Sequence, residues 1–178
     1  TTPGADCREE GTTPMGDVSI RAAGPEDAAD ICTIYNQGIE DRIATLETEL
    51  RTPDERRQWM AARAARHPVE VAGSAGQVVG WGSLNAFNPR PAYDNVADLS
   101  AYVERGWRGR GVGRALLQHL LPLAKSLGYH KMVLATFPYN EAGVTLYRKM
   151  GFSPVGVYHE QGRLDERWVD VLIMERLL

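Results

Sequence analysis

At 178 residues, 43% apolar and 24% charged, the chain has the size and balance of one globular domain. No run approaches the roughly 20 apolar residues of a membrane helix, and a formal net charge of −3 excludes a protein that coats nucleic acid through bulk positive charge. Two cysteines are too few for a disulfide framework, and the four histidines lack ligand spacing with Cys or carboxylates, so we expect no metal and a reduced, cytoplasmic setting.

Residues 1–16, rich in Gly, Thr, Pro and acids, read as a disordered lead-in without a secretory h-region, and the domain is expected over 17–178. Val18, Ile20 and Ala22 alternate as a short strand does. Pro25-Glu26-Asp27 then opens a helix whose buried stripe is Ile31, Ile34, Tyr35 and Ile39, with Cys32 in its core. "IATLETEL" (43–50) is ambiguous, a loop with some extended character. Thr52 caps a second helix, predicted to run to about Arg66 before Pro68. Residues 69–73 and 77–87 form a hairpin around Gly73 to Gly76. After the Pro-rich loop "NPRPAYDN", "VADLSAYVE" (96–104) is a half-buried strand. A helix follows over 112–127, with Pro122 inside it as an anomaly. "KMVLAT" (131–136) is a buried strand, and residues 140–150 are a helix capped by Asn140 and ended by Gly151. Two last strands, about 152–160 and 166–175, flank a turn at "QGRLDERW". This order, β, α, α, three strands, α, β, α, β, β, is α+β and does not alternate as a doubly wound sheet would.

Between the strand ending near Glu104 and the helix starting near Val112 lies "ERGWRGRGVGRALL", with four arginines within residues 105–114. It fails both common phosphate patterns. No G-x-G-x-x-G is present, because position six from Gly109 is Arg114 and from Gly111 is Leu116. Gly106 and Gly111 have P-loop spacing, but Val112 stands where Lys is required. Glycines, a helix N-terminus and local guanidiniums still suit an anion. A glycine-rich loop with solvated arginines, Arg105 among them, is the alternative.

R108-G109-R110-G111-V112-G113 resembles the Q/R-x-x-G-x-G/A motif of the Gcn5-related N-acetyltransferase superfamily, whose loop wraps the pyrophosphate of coenzyme A. "LSAYVERGWRGRGVGRALL" is similar to that family's central strand, loop and helix, and "NEAGVTLYRKMGF" (140–152) to its next helix. The resemblance extends over about 17–177. It is closest to the phosphinothricin-type branch through "IYNQGI" (34–39), "RPAYDNVADLSAYV" (90–103) and "GRLDERWVDVLIMERLL" (162–178), and within it to arsinothricin-resistance enzymes through "VADLS" and "QGRLD". It implies a mixed, mostly antiparallel sheet of about seven strands with about four helices, acetyl-CoA as co-substrate, and a homodimer. It also implies a small amino-acid-like acceptor acetylated on its α-amino group, conferring resistance.

The resemblance carries roles onto particular residues. Asp98 stands where the branch has a Glu base, one methylene shorter, and a solvated or supporting aspartate is the alternative. Main-chain groups of Ala101, Tyr102 and Val103 match the segment that pairs with the acyl-pantetheine arm and offers an oxyanion donor. Arg108, Gly109, Arg110, Gly111, Val112, Gly113 and Arg114 surround the phosphates. Tyr147 matches the thiolate's proton donor and is equally legible as a core aromatic. Asn140 and Lys149 match coenzyme-contacting positions. For the acceptor, Arg90 is the expected cation, with Pro91, Ala92 and Tyr93 beside it and Asn85, Phe87 and Leu46 as candidate walls. The branch's substrate loop often has a second arginine, whereas here Asn88 and Pro89 precede Arg90.

Other acceptors remain open at this point: methionine sulfoximine, methionine sulfone or another L-amino acid, a protein N-terminus, or a polyamine. A polyamine would want an acidic pocket where Arg90 stands. A non-catalytic acyl-CoA sensor would not need Asp98 and Tyr147.

Overall fold

The computed structural model describes residues 17–178, so the expected lead-in over 1–16 lies outside the described residues. Strand β1 (Ser19–Ala22) leads into a short 3-10 turn at Pro25–Asp27 and helix α1 (Ala28–Glu40). The Asp27 carboxylate closes this entry, pairing with Arg21 at 2.7 Å and accepting the Gly24 N–H at 2.8 Å. Residues 43–50 form a loop with no strand. Helix α2 (Pro53–Ala61) begins with a reciprocal capping box between Thr52 and Glu55. It stops five residues before the expected Arg66. Arg63 turns away to donate to the carbonyls of His67 (2.8 Å) and Leu84 (2.7 Å), so this segment bonds to the sheet in place of another helical turn.

Strands β2 (Val69–Ser74), β3 (Gln77–Ala86), β4 (Val96–Val103), β5 (Lys131–Thr136), β6 (Ser153–Leu164) and β7 (Arg167–Leu177) complete a seven-stranded sheet ordered β1-β2-β3-β4-β5-β7-β6. Every pairing is antiparallel except β4 with β5. The final turn is tighter than expected. It occupies only Asp165 and Glu166, both at positive φ (45° and 65°), as a two-residue hairpin turn requires, and β6 runs on to Leu164.

Helices α3 (Val112–Ser126) and α4 (Glu141–Lys149) cover one face of the sheet. There Leu117, Leu120 and Leu121 pack on Leu84, Ala97, Leu99, Met132 and Met174. Glycines let α3 sit this low on β3. A Cβ at Gly82 would stand 2.6 Å from Leu120 Cδ1, and one at Gly80 would stand 2.8 Å from Val112 Cγ1. Pro122 is tolerated because it lies on the exposed side of α3, where the Gln118 carbonyl left without an N–H faces water. On the other face, α1 and α2 bury Ile31, Ile34, Tyr35 and Ile39 against Val71 and Trp81.

Candidate active site

The site begins where the sheet parts. Strands β4 and β5 are in register only over Val96, Ala97 and Asp98 opposite Lys131, Met132 and Val133, and beyond Asp98 they diverge. The carbonyls of Ser100 and Tyr102 point across to Gly82 and Gly80 of β3, and the Glu104 N–H bonds the Val79 carbonyl at 2.9 Å. Strand alternation therefore turns the main-chain groups of Ala101 and Val103 into the fork. The expected third contact, Tyr102, is corrected by the same alternation. Its peptide faces β3, and its side chain enters the α1 side, edge-on to Tyr35 at 5.1 Å.

Asp98 lies at the base of the fork. Burial lifts its carboxyl to about 6, opposed by the Asn85 amide it faces at 3.5 Å. Asn85, expected as a pocket wall, is instead the hub of a polar cluster. Its carbonyl oxygen accepts from Arg63 (2.9 Å) and Ser83 (3.1 Å), and its amide donates to Ser100 (3.1 Å) as well as toward Asp98. Arg63 and the two serines were not legible as site residues. Arg63 is 22 positions from Asn85 in the chain, and only the packing of α2 on the sheet brings them together.

The glycine–arginine loop starts with a 3-10 turn at Arg105–Trp107. Glu104 accepts the Gly106 N–H at 2.7 Å, and Gln37 of α1 bonds both Glu104 and the Arg105 N–H. Arg105, expected to be solvated, pairs with Glu40 at 3.0 Å and Asp41 at 2.8 Å. Arg108, expected among the phosphates, turns its side chain back to Asp41 at 2.5 Å. The two guanidiniums, Arg105 foremost, hold the Asp41 carboxyl below the usual carboxylate range. Two of the four arginines are thus tied to the end of α1. The Arg110 guanidinium lies 5.3 Å from the Trp107 ring centre, and Arg114 sits in the first turn of α3.

Gly109 and Gly111 adopt φ of 74° and 86°, conformations that glycine reaches without strain. Gly111 is the N-cap of α3 and supplies no side-chain cap. The N–H groups of the first turn, at Val112, Gly113 and Arg114, are therefore presented outward with the positive end of the helix dipole. Directed N–H groups, a 15-residue helix behind them and two nearby guanidiniums fit the diphosphate of coenzyme A. A Cβ on Gly113 would stand 2.9 Å from Leu146 of α4, which keeps the two helices close beside the fork.

Asn140 caps α4, accepting the Gly143 N–H at 3.1 Å, and its amide reaches the Ile43 carbonyl at 3.4 Å. Tyr147 meets Phe152 edge-on at 6.0 Å, and burial raises its phenol to about 12, so it holds its proton at neutral pH. Lys149 closes the same helix.

The acceptor candidates are more dispersed. Phe87 and Tyr93 pack together at 5.4 Å, and Pro91, Ala92 and Tyr93 form a 3-10 turn. Arg90 precedes that turn, its N–H bonded to Asn88 at 3.0 Å and its side chain exposed. Leu46 leaves the α1–α2 loop to press on β6 at Gly162, where an added Cβ would meet it at 2.5 Å. Asp98, Ala101, Val103 and the glycine loop thus share one strand–loop–helix unit, while Arg90 and Leu46 lie on two different loops. Among the described residues no three His, Cys, Asp or Glu side chains gather as a metal site, and no helix is long and apolar enough to cross a membrane.

A family model for acetyltransferases of the GNAT family matches residues 31–152. An L-methionine sulfoximine/L-methionine sulfone acetyltransferase of Pseudomonas paraeruginosa is 34% identical over 159 residues, 88% of this chain and 92% of that protein. A phosphinothricin N-acetyltransferase of Streptomyces coelicolor is 30% identical over 166 residues, 91% of this chain and 97% of its own. Among solved structures, a GNAT superfamily phosphinothricin acetyltransferase from Sinorhizobium meliloti, in complex with acetyl-CoA, superposes with a TM-score of 0.86 at 28% identity, covering 90% of this chain and 88% of that one.

Proposed function

This chain belongs to the acetyltransferase (GNAT) family, and from that premise we propose that it acetylates the α-amino group of a small amino-acid analogue, with phosphinothricin and arsinothricin as acceptors. That it is an N-acetyltransferase using acetyl-CoA follows from the family. Asp98, a carboxyl raised to about 6 at the base of a fork whose main chain can hold an acyl arm, supports transfer to an amine, and the likeness to methionine sulfoximine/sulfone and phosphinothricin acetyltransferases carries the acceptor reading.

Acetyl-CoA supplies an activated acetyl thioester. The chain's own residues do the rest. Val112, Gly113 and Arg114 offer N–H groups to the diphosphate, and Ala101 and Val103 offer main-chain partners along the fork. Asp98 takes a proton from the acceptor ammonium, directly or through water, so that a neutral amine can attack. Asn85, held by Arg63, keeps Asp98 oriented. A main-chain N–H in the fork faces the oxygen on which charge develops. We assign to the Tyr147 phenol, which keeps its proton at neutral pH, the proton given to the departing thiolate. Arg90 supplies a cation for the acceptor's carboxylate.

A homodimer belongs to the same proposal. Edge strand β6 exposes Val155, Val157 and Tyr158, and Trp168 stands out beside it on β7. A long apolar edge left open is an association surface. Cys32 is a buried free thiol, which supports a reducing, cytoplasmic setting.

Thiol release from acetyl-CoA, measured across phosphinothricin, arsinothricin, methionine sulfoximine, methionine sulfone, spermidine and a short peptide, tests the acceptor class. Turnover is expected with the amino-acid analogues. Turnover confined to the peptide or to spermidine would overturn it.

A further inference from the structure

On the α1/α2 side of the sheet, the donors of Arg56, Tyr35, Tyr102 and Trp81 lie on neighbouring side chains, and none has a protein acceptor within hydrogen-bond distance among the described residues. The Arg56 guanidinium carbon lies 3.9 Å from the ring centre of Tyr35, 4.9 Å from that of Trp59 and 5.9 Å from that of Trp81. Trp81 stacks on Tyr102 at 4.8 Å, and Tyr102 meets Tyr35 edge-on at 5.1 Å. Arg56 is 8% exposed and Tyr35 9%. The two nearest acids are drawn elsewhere: Glu47 lies 2.5 Å and Glu55 3.9 Å from Arg51. Among the described residues, Arg56 has no ion pair, the hydroxyls of Tyr35 and Tyr102 have no partner, and the buried Trp81 indole N–H is likewise unpaired. A buried N–H without an acceptor, as at Trp81, is costly to keep, and native cores seldom leave one so.

The Arg56 and Tyr35 side of this box is not sealed in the core. A cavity of about 300 Å³ lined by Tyr35, Glu47, Arg51, Glu55, Arg56 and Trp59 opens beneath the α1–α2 loop. The box also shares a face with Asp98, since Asp98, Ser100 and Tyr102 alternate on one side of β4. Four residue steps along the strand separate the Cα atoms of Asp98 and Tyr102 by roughly 13 Å. The two side chains, and an acceptor whose amine lies at Asp98, can divide that span. The part of the acceptor that reaches the box is then its far end, not the carboxylate beside the amine.

We propose that this box, with Arg56 at its centre and Tyr35, Tyr102 and Trp81 around it, binds the oxygen-bearing head group at the far end of the acceptor side chain. The proposal rests on the amino-acid reading above. Its chemistry is specific. Donors without acceptors suit a group that only accepts, and aromatic walls suit a methyl. Methylphosphinate, methylarsinate and methylsulfone heads each carry both. A plain thioether offers the methyl and no oxygens.

The test compares Arg56→Met with the unaltered enzyme on L-phosphinothricin, L-methionine sulfone and L-methionine. Loss of a charged hydrogen-bond partner should lower kcat/KM about 30-fold for phosphinothricin and less for the sulfone. The value for methionine and the KM for acetyl-CoA should hold within about 3-fold. Tyr102→Phe, which removes one oxygen and keeps the ring, should give the same ranking at about 5-fold, and it decides the matter if Arg56→Met does not fold. Equal losses on all three acceptors, or none, in a variant with unaltered circular dichroism and Tm, would overturn the proposal. If the enzyme acetylates no amino-acid analogue, the proposed function falls, and the box is judged by tryptophan fluorescence titrated with methylphosphinate ion. Saturable quenching that Arg56→Met abolishes upholds it; no saturable quenching overturns it.

Discussion

Asp98→Asn lowers kcat/KM by about 10²-fold or more at neutral pH, the range expected for removal of a general base. It also changes the shape of the pH profile, which a merely structural aspartate would not do. In the unaltered enzyme the rate should depend on pH through Asp98, which must be ionised to take the proton of the acceptor ammonium. Burial sets the Asp98 carboxyl at about 6, so as pH is lowered kcat/KM should stay level down to that value and fall one decade per pH unit below it, whereas without the base the amine must arrive neutral and the slope lies across the whole range. The substituted amide is a neutral mimic, so the profile of the variant keeps a single slope throughout. Asn85→Ala moves the break the other way from a loss of burial. The Asn85 amide lowers the Asp98 pKa, so deleting it shifts the break to higher pH while Asp98 still works. A break that persists near 6 in Asp98→Asn would assign it to another group.

The second large effect is at the coenzyme loop. Gly111→Val raises the KM for acetyl-CoA by about 100-fold, with kcat at saturation nearly unchanged, because the loss falls on uniform binding. At φ 86° a β-branched residue is strained. Relief of that strain requires a rotation at the N-cap of α3, which swings the N–H groups of Val112, Gly113 and Arg114 off the diphosphate. Arg114→Ala is the useful contrast. It removes one exposed charge and keeps the backbone, so a smaller rise in KM, weakened by salt, is expected. Initial rates at varied acetyl-CoA and fixed, saturating acceptor decide it. A Gly111→Val KM within about 3-fold of the unaltered value would mean that the loop does not hold the phosphates through its main chain.

Local patterns carried most of the fold. Alternation marked β1 and β4, helical spacing marked α1 and α3, and Thr52, Asn140 and Gly151 marked helix ends. Where the reading slipped, a long-range bond was the reason. Helix α2 lacks its last expected turn because Arg63 bonds to Leu84, 21 residues away. The site divides in the same way. The glycine loop could be read because its residues are contiguous and its backbone needs are visible as glycines. Asp98 could be placed only by resemblance. Asn85 reads as no more than a wall from the sequence because its partners Arg63 and Ser100 lie on two other segments. Asp41, which ties down Arg105 and Arg108, lies 64 and 67 positions from them, and nothing in a solitary acid at a helix end announces a distant arginine pair.

The short β4–β5 register has a consequence for how the amides of this domain exchange with solvent. Ser100 and Tyr102 turn their peptides to β3, while those of Ala101 and Val103 look into the fork. One strand therefore carries two classes of amide in strict alternation, slow and fast. Deuterium uptake resolved by residue should show that period-two pattern along the half-buried end of β4. A pantetheine arm lying in the fork would slow the fast class alone and flatten the alternation, making the strand its own gauge of occupancy.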